Sequence, residues 1–132
     1  MLDTNILRYL MKNQPTSIAT RINSLAPDDN VSMSFVTYAE PIKGVVRSER
    51  PAMNRQNLAK LTRQIPVLFD VSRATCEQYA EQFSRLKIAG SPIGGNDLWI
   101  ASHALVEAAI LVTNNTREFA HITGLALEDW VA

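Results

Sequence analysis

Cysteine is almost absent from this chain: among 132 residues Cys76 is the single one, so no disulfide can form within the chain. Long apolar runs are absent too, since stretches such as AAILV fall far short of the roughly 20 residues that cross a bilayer. The first residues lack the basic and apolar regions of a secretion signal. We therefore expect a soluble, cytoplasmic protein with no membrane partner.

An excess of charge is also absent, because 13 Lys and Arg balance 13 Asp and Glu. A chain without net charge has no overall field that attracts nucleic acid or anionic lipid. An RNA partner would then need a local basic patch, and Lys43 and Arg47 are candidates because they follow Glu40 along a predicted helix. The alternative is that these side chains form an ordinary solvated helix face.

Apolar spacing predicts strands that alternate with helices along the chain. VSMSF, PVLFD and AILVT are typical of strands, whereas VTYAEPIKGVV and SRATCEQYAEQFSRLKIAG carry apolar residues at helical spacing. The run AILV is apolar throughout, as buried parallel strands require. No repeat, low-complexity stretch or long linker divides the chain. The sequence therefore predicts one α/β domain over residues 1–132, with a mainly parallel sheet between helices.

Acidic residues follow the predicted strands, at the edge where parallel α/β sheets form their sites. Asp3 follows the short first strand, Glu40 lies in the helix after the second, and Asp97 opens a helix after a glycine-containing loop. Asp3 and Asp97 could instead cap their helices, and Glu40 could be a solvated surface residue. If the three side chains share the edge, they share one pocket.

Three carboxylates in one pocket with no basic partner would repel each other and raise each other's pKa unless a cation lay between them. Oxygen ligands suit Mg²⁺ or Mn²⁺, and no Cys or His spacing supports zinc. Such metals activate a bound water and stabilise the leaving oxygen during phosphodiester cleavage. The residues alone therefore predict a metal-dependent nuclease in which Asp3, Glu40 and Asp97 are the catalytic and metal-binding groups.

Four segments in this order resemble the PIN-domain ribonucleases, and within them the VapC-type toxins: MLDTNIL, SFVTYAEPIKG, PIGGNDLWIASHAL and LVTNNTREFAHITGL. The resemblance covers nearly the whole chain. It implies a PIN-domain α/β/α sandwich with a central sheet of about five strands. It also implies Mg²⁺- or Mn²⁺-dependent endonuclease cleavage of RNA, with initiator tRNA cut in the anticodon region, and therefore inhibition of translation.

The same resemblance implies two protein partners. A VapB-type antitoxin would neutralise the toxin, and a second copy of the chain would form a homodimer. Apolar residues on the third and fourth predicted helices exceed the needs of one core, so they could seat either partner. They are Ile42, Val45, Val46, Leu58 and Leu61.

By position, the resemblance matches Asp3, Glu40 and Asp97 to the first three acids of the family, which bind metal directly or through water. It matches Asn5 and Thr113 to polar residues that orient those acids. The implied site is therefore the pocket that the strand ends predict, with two supporting side chains added.

This chain departs from the family pattern at two places. Many relatives have a fourth acid directly after the late strand, where this chain has Asn114 and Asn115; Glu118 is our candidate for that role, with Asn115 in support. Pro41 is the second departure, because a proline inside a helix loses a backbone hydrogen bond and kinks the helix. We predict a bend there that still leaves Glu40 facing the first acid.

Two alternatives to an active nuclease stay open. A receiver-like regulatory domain also gathers acids and Mg²⁺ at strand ends, but it needs a Lys after a late strand, where this chain has Thr113 followed by two asparagines. A degenerate PIN domain would bind RNA without cutting it, because of Pro41 and the missing fourth acid.

Overall fold

The computed structural model describes residues 1–131, which form seven helices and four short strands. The helices are α1 (Thr4–Lys12), α2 (Ser17–Asn23), α3 (Phe35–Arg47), α4 (Pro51–Gln64), α5 (Arg73–Ile88), α6 (Gly95–Val106) and α7 (Thr116–Phe119). The strands are β1 (Met33–Ser34), β2 (Val67–Leu68), β3 (Leu111–Val112) and β4 (Leu127–Glu128).

Five parallel segments make up the sheet. Strand β1 pairs with β2, β3 pairs with β4, and Leu2 bridges the two pairs through Met33 and Val112. The order across the sheet is β2, β1, the segment at Leu2, β3 and β4, which confirms the expected parallel sheet of about five strands. The strands are shorter than the sequence predicts, because each apolar run contributes only two paired residues.

The first residues of the chain are held at the centre of this sheet from both sides. The Leu2 amide donates to the carbonyl of Ser32 at 2.8 Å, and the Asp3 amide donates to the carbonyl of Val112 at 3.0 Å. The Val112 amide in turn donates to the carbonyl of Met1 at 2.8 Å. Asp3 therefore emerges at the carboxyl end of the middle segment, between β1 and β3.

The two faces of the sheet bury separate apolar clusters. Neighbouring residues of a strand point to opposite faces. Met1 and Leu111 accordingly belong to one cluster, whereas Leu2 and Val112 belong to the other. The first cluster is completed from α5, α6 and α7 by Leu86, Leu98, Ile100 and Phe119. The second is completed from α1, α2 and the end of α4 by Ile6, Leu7, Ile18 and Ile65. Helices on both faces confirm the predicted α/β/α sandwich.

Helix ends follow local sequence signals. Asp3 is the N-cap of helix α1, and its carboxylate accepts the Ile6 amide at 2.9 Å. Helix α5 begins after Ser72, as predicted, and its C-terminal turn is followed by Gly90 at φ 72°, a conformation that favours glycine. Helix α3 continues through Pro41 to Arg47. No helix within residues 1–131 is long and apolar enough to cross a membrane.

We expect the buried face of α6 to dominate stability. Ile100 is 0 % exposed, whereas Ile88 at the end of α5 is 88 % exposed. Ile100→Ala should lower the free energy of unfolding by about 2–5 kcal/mol because it leaves a cavity, whereas Ile88→Ala should change it by less than about 0.5 kcal/mol. Urea denaturation of both variants measures the difference. Equal losses would show that Ile100 does not pack in the core.

Candidate active site

Asp3 combines a structural role with burial at the predicted edge. The residue is 3 % exposed, and one carboxylate oxygen caps α1. Burial raises the pKa of Asp3, while hydrogen bonds from the Thr113 hydroxyl and from the Ile6 and Asn5 amides act in the opposite direction. A carboxylate has more acceptor positions than a cap uses, so capping does not exclude metal binding.

Asp97 lies in the first turn of α6 and is half-buried. The N-cap residue of this helix is Gly94, and Asp97 makes no capping bond there, so the capping alternative is wrong for Asp97. Burial raises the pKa of Asp97, and the negative charges of Glu118 and Asp3 raise it further. The structure therefore brings these three carboxylates near one another at the carboxyl edge of the sheet.

A chain of hydrogen bonds orders the turn after β3. The Thr113 hydroxyl, which bonds to Asp3, also accepts the Asn115 amide at 2.9 Å. The Asn115 side chain donates to Glu118 at 2.6 Å. These three residues thus lie where the sequence predicts supporting residues. Thr113 and Asn115 connect Asp3, the first acid, to Glu118. Their roles in catalysis stay predictions.

Glu40 lies at the rim and not among the buried acids. Its side chain is 38 % exposed and forms an ion pair with Lys43, at 3.3 Å between Oε2 and Nζ. The groups that shift the pKa of Asp3 and of Asp97 do not include Glu40. Glu40 lines a small cavity with Thr4 of α1, so it lies beside the start of that helix. Its role as a metal ligand stays a prediction.

Two basic residues contradict the expectation that the acids have no basic partner. Lys43 follows Glu40 by three positions, and the charge of Arg8 on α1 lowers the pKa of Asp3. Helical spacing contains this signal, because residues three or four apart on a helix are neighbours. The Asn5 side chain accepts a hydrogen bond from Arg8 at 3.0 Å, and the Asn5 amide bonds to Asp3. The role of Asn5 in orienting the acids stays a prediction.

Lys43 and Arg47, the predicted RNA-binding pair, are both exposed on α3. The ammonium of Lys43 lies against Glu40, so its charge is already partly neutralised. Arg47 lies in the last turn of the helix. Contact of either residue with RNA stays a prediction.

The oxygen donors at this edge are of the kind that hard divalent cations prefer. Within residues 1–131, no three side chains of Asp, Glu, His or Cys are grouped tightly enough to form a ready-made metal site. The acids are nevertheless close enough to repel one another, since Glu118 and Asp3 raise the pKa of Asp97. Mg²⁺ usually keeps several waters and uses one or two carboxylates, which matches a loosely grouped set of oxygen donors.

The family model of the PIN domain matches residues 1–125. This chain belongs to the PIN-domain family. Ribonuclease VapC1 of Haemophilus influenzae (strain R2866) is a relative that is 47% identical over 130 residues, which cover 98% of this chain and 96% of the relative. The tRNA(fMet)-specific endonuclease VapC of Shigella flexneri is 38% identical over 130 residues, with the same coverage.

A solved structure, VapBC-1 from nontypeable Haemophilus influenzae, matches this PIN domain with a TM-score of 0.92 and 46% identity. The match covers 100% of this chain and 98% of that one. Identity of this size over nearly the full length of these relatives places this PIN domain in the VapC group. A receiver-like domain is thereby excluded.

We expect Glu118 to control the ionisation of Asp97 in this PIN domain. Glu118→Gln removes the negative charge that raises the pKa of Asp97 more than Asp3 does. The pKa of Asp97 should therefore fall toward its ordinary value, while burial keeps it above that value. Carbon-detected NMR titration without metal measures this pKa. Glu49→Gln, an exposed charge change between α3 and α4, is the control. An equal Asp97 pKa in both variants would contradict the proximity of the two acids.

Proposed function

We propose that this PIN domain is an endoribonuclease toxin that requires Mg²⁺, or Mn²⁺ in its place, and cleaves initiator tRNA in the anticodon region, which inhibits translation. The observation that carries the proposal is the convergence of Asp3, Asp97 and Glu118 at the carboxyl edge of the sheet. The names of the relatives support it, since one is a ribonuclease and another a tRNA(fMet)-specific endonuclease. A substrate of this kind implies action in the cytoplasm.

Each acid has a distinct task in this proposal. Asp3 and Asp97 would hold the metal, Glu118 would add a third carboxylate from the turn after β3, and Glu40 would act from the rim through water. A bound metal supplies an activated water and stabilises negative charge on the leaving oxygen.

The neighbouring groups keep the acids in place. The Thr113 hydroxyl and the Ile6 amide orient Asp3, and the Asn115 side chain orients Glu118. Arg8 favours the ionised form of Asp3, the form that binds a cation.

We expect a defined cut in purified initiator tRNA with Mg²⁺ and intact tRNA with EDTA. Asp3→Asn should lower the cleavage rate about 100-fold or more, because the substitution removes a metal-binding charge. Asn is also a good N-cap, so this variant tests the charge while preserving α1. Asp28→Asn, at an exposed position outside the site, should cleave like the wild type. Gel analysis at single-nucleotide resolution measures rate and position.

Three outcomes would contradict the proposal in different ways. Cleavage that persists in EDTA would remove the metal requirement. A cut elsewhere, or in other RNAs instead, would remove the narrower substrate. Binding of tRNA with no cleavage by the wild type would favour the degenerate PIN domain, for which the pairing of Glu40 with Lys43 is the supporting observation.

We also propose a VapB-type antitoxin as the partner, consistent with the VapBC-1 structure that this fold matches. An open apolar groove of about 690 Å³ lies between α1, α3 and α4. The main apolar residues that line it are Leu10, Met11, Pro41, Val45, Leu58 and Leu61. A groove of this shape suits an amphipathic partner segment. Val46 is 69 % exposed and does not line the groove. We propose a homodimer as well, for which Val46 is a candidate contact.

We expect Met11→Glu to weaken antitoxin binding by about tenfold or more, because it places a charge in an apolar contact. Met11 is 53 % exposed and lines the groove, whereas Met53 on α4 is 46 % exposed and does not. Met53→Glu is therefore a matched control that should bind normally. Calorimetric titration with the antitoxin measures both affinities. Equal affinities would place the antitoxin on another surface.

A further inference from the structure

A second cleft adjoins the carboxylates on the side of α7. It has a volume of about 330 Å³ and is open to solvent. Its walls are the loop from Ser91 to Ile93 on one side and Asn115, Arg117, Glu118 and His121 on the other. Glu118 lines this cleft and also raises the pKa of Asp97, so the cleft begins where the group of acids ends.

A basic side chain, Arg117, lines the cleft next to the acidic site. Arg117 and His121 are both exposed and both line the cleft. Arg117 lies in α7, and His121 follows four positions later, just after the end of that helix. Among residues 1–131 the ion pairs do not include Arg117, and the neighbouring acid, Glu118, is bound by Asn115 instead. The guanidinium group is therefore not neutralised by the adjacent carboxylate through an ion pair.

Helix α5 holds the wall of the cleft that contains His121 in position. Arg85 donates to the carbonyl of His121 at 2.9 Å and also to the side-chain oxygen of Gln82. Gln82 bonds both backbone groups of Thr123, donating to the carbonyl at 3.3 Å and accepting from the amide at 3.4 Å. The backbone that carries His121 is thus fixed against α5, so a ligand does not have to order that backbone when it binds.

We propose that this cleft holds the nucleotide next to the scissile phosphate of a single-stranded RNA, with Arg117 contacting its phosphate and His121 its base or sugar. The inference rests on the proposed ribonuclease function and adds a substrate contact to it. A strand whose reacting phosphate lies at the acids must lead its next phosphate along a neighbouring surface. An arginine fork binds phosphate with two parallel hydrogen bonds, and an imidazole ring can stack on a base.

The size and charge of the cleft favour this occupant. A volume of about 330 Å³ lies at the lower end of the range for small-ligand pockets, which suits one nucleotide. On the other side of the acids, the charge of Lys43 is already taken up by Glu40. Arg117, unlike Lys43, lines this cleft and forms no ion pair among residues 1–131, so its charge is available to a phosphate there.

The test measures binding of a fluorescent single-stranded RNA of the anticodon-loop sequence in EDTA, where cleavage is suppressed. Arg117→Gln should weaken affinity about five- to tenfold and reduce the slope of log affinity against log salt by about 0.7, the loss of one phosphate contact. Arg73→Gln makes the same charge change at the first residue of α5. Arg73 lies twelve residues before Arg85, about 18 Å from it along the helix, so this variant should bind RNA like the wild type. Circular dichroism confirms that both variants are folded.

Cleavage with Mg²⁺ provides the second measurement. Arg117→Gln should raise the RNA concentration for half-maximal rate and leave the rate at saturating RNA within about twofold, because Arg117 binds RNA away from the reacting bond. Identical binding by Arg117→Gln and Arg73→Gln would overturn the inference while the ribonuclease function stands. An effect of Arg117→Gln on antitoxin binding alone would also overturn it. If wild-type protein neither binds nor cleaves RNA, both proposals fail.

Discussion

The hydrogen bonds of Leu2 and Asp3 to the strands on either side are the constraint on which the rest of the structure depends. They turn the first residues of the chain into the middle of the sheet, although only Leu2 is bridged to both neighbours. Leu2 is buried between β1 and β3, and Asp3 follows it at the carboxyl edge of the sheet. Helix α1 then starts at once, because the same carboxylate caps it. One residue therefore joins the sheet, the first helix and the acidic site.

Electrostatic repulsion within that site is a cost that the fold tolerates. Burial and neighbouring negative charges raise the pKa of Asp97, and burial raises the pKa of Asp3. Such a group stabilises the fold less in its ionised form than a solvated carboxylate would. Hydrogen bonds from Thr113 and Asn115 position the acids without neutralising them. This arrangement is typical of a site whose charge is balanced by a ligand from outside the chain.

The surfaces around the acids divide into regions of different chemistry. The groove between α1, α3 and α4 is mainly apolar, whereas the cleft beside α7 is polar and carries Arg117. Glu40 and Lys43 lie at the rim between the acids and the apolar groove, since Glu40 borders α1 and Pro41 lines the groove. In the proposed toxin, a partner protein and an RNA strand would therefore approach the same acids from two sides.

The sequence by itself predicted the order of strands and helices, the parallel sheet and the meeting of Asp3 with Asp97. These depend on apolar periodicity and on the rule that sites form at the carboxyl edge, both of which are local or general. The start of α5 after Ser72 and its end before Gly90 were predictable for the same reason.

Only the tertiary structure decided which neighbours each acid has. The sheet order places the turn after β3 beside Leu2. It thereby brings Glu118 close to Asp97, although the two residues are 21 positions apart in the chain. It also leaves Glu40 at the rim with Lys43, and fixes the backbone of His121 against Arg85 of α5. Periodicity predicts which face a side chain occupies along its own helix. Packing on both faces of the sheet decides which elements lie side by side. The apolar residues that determine this packing are spread over the whole chain.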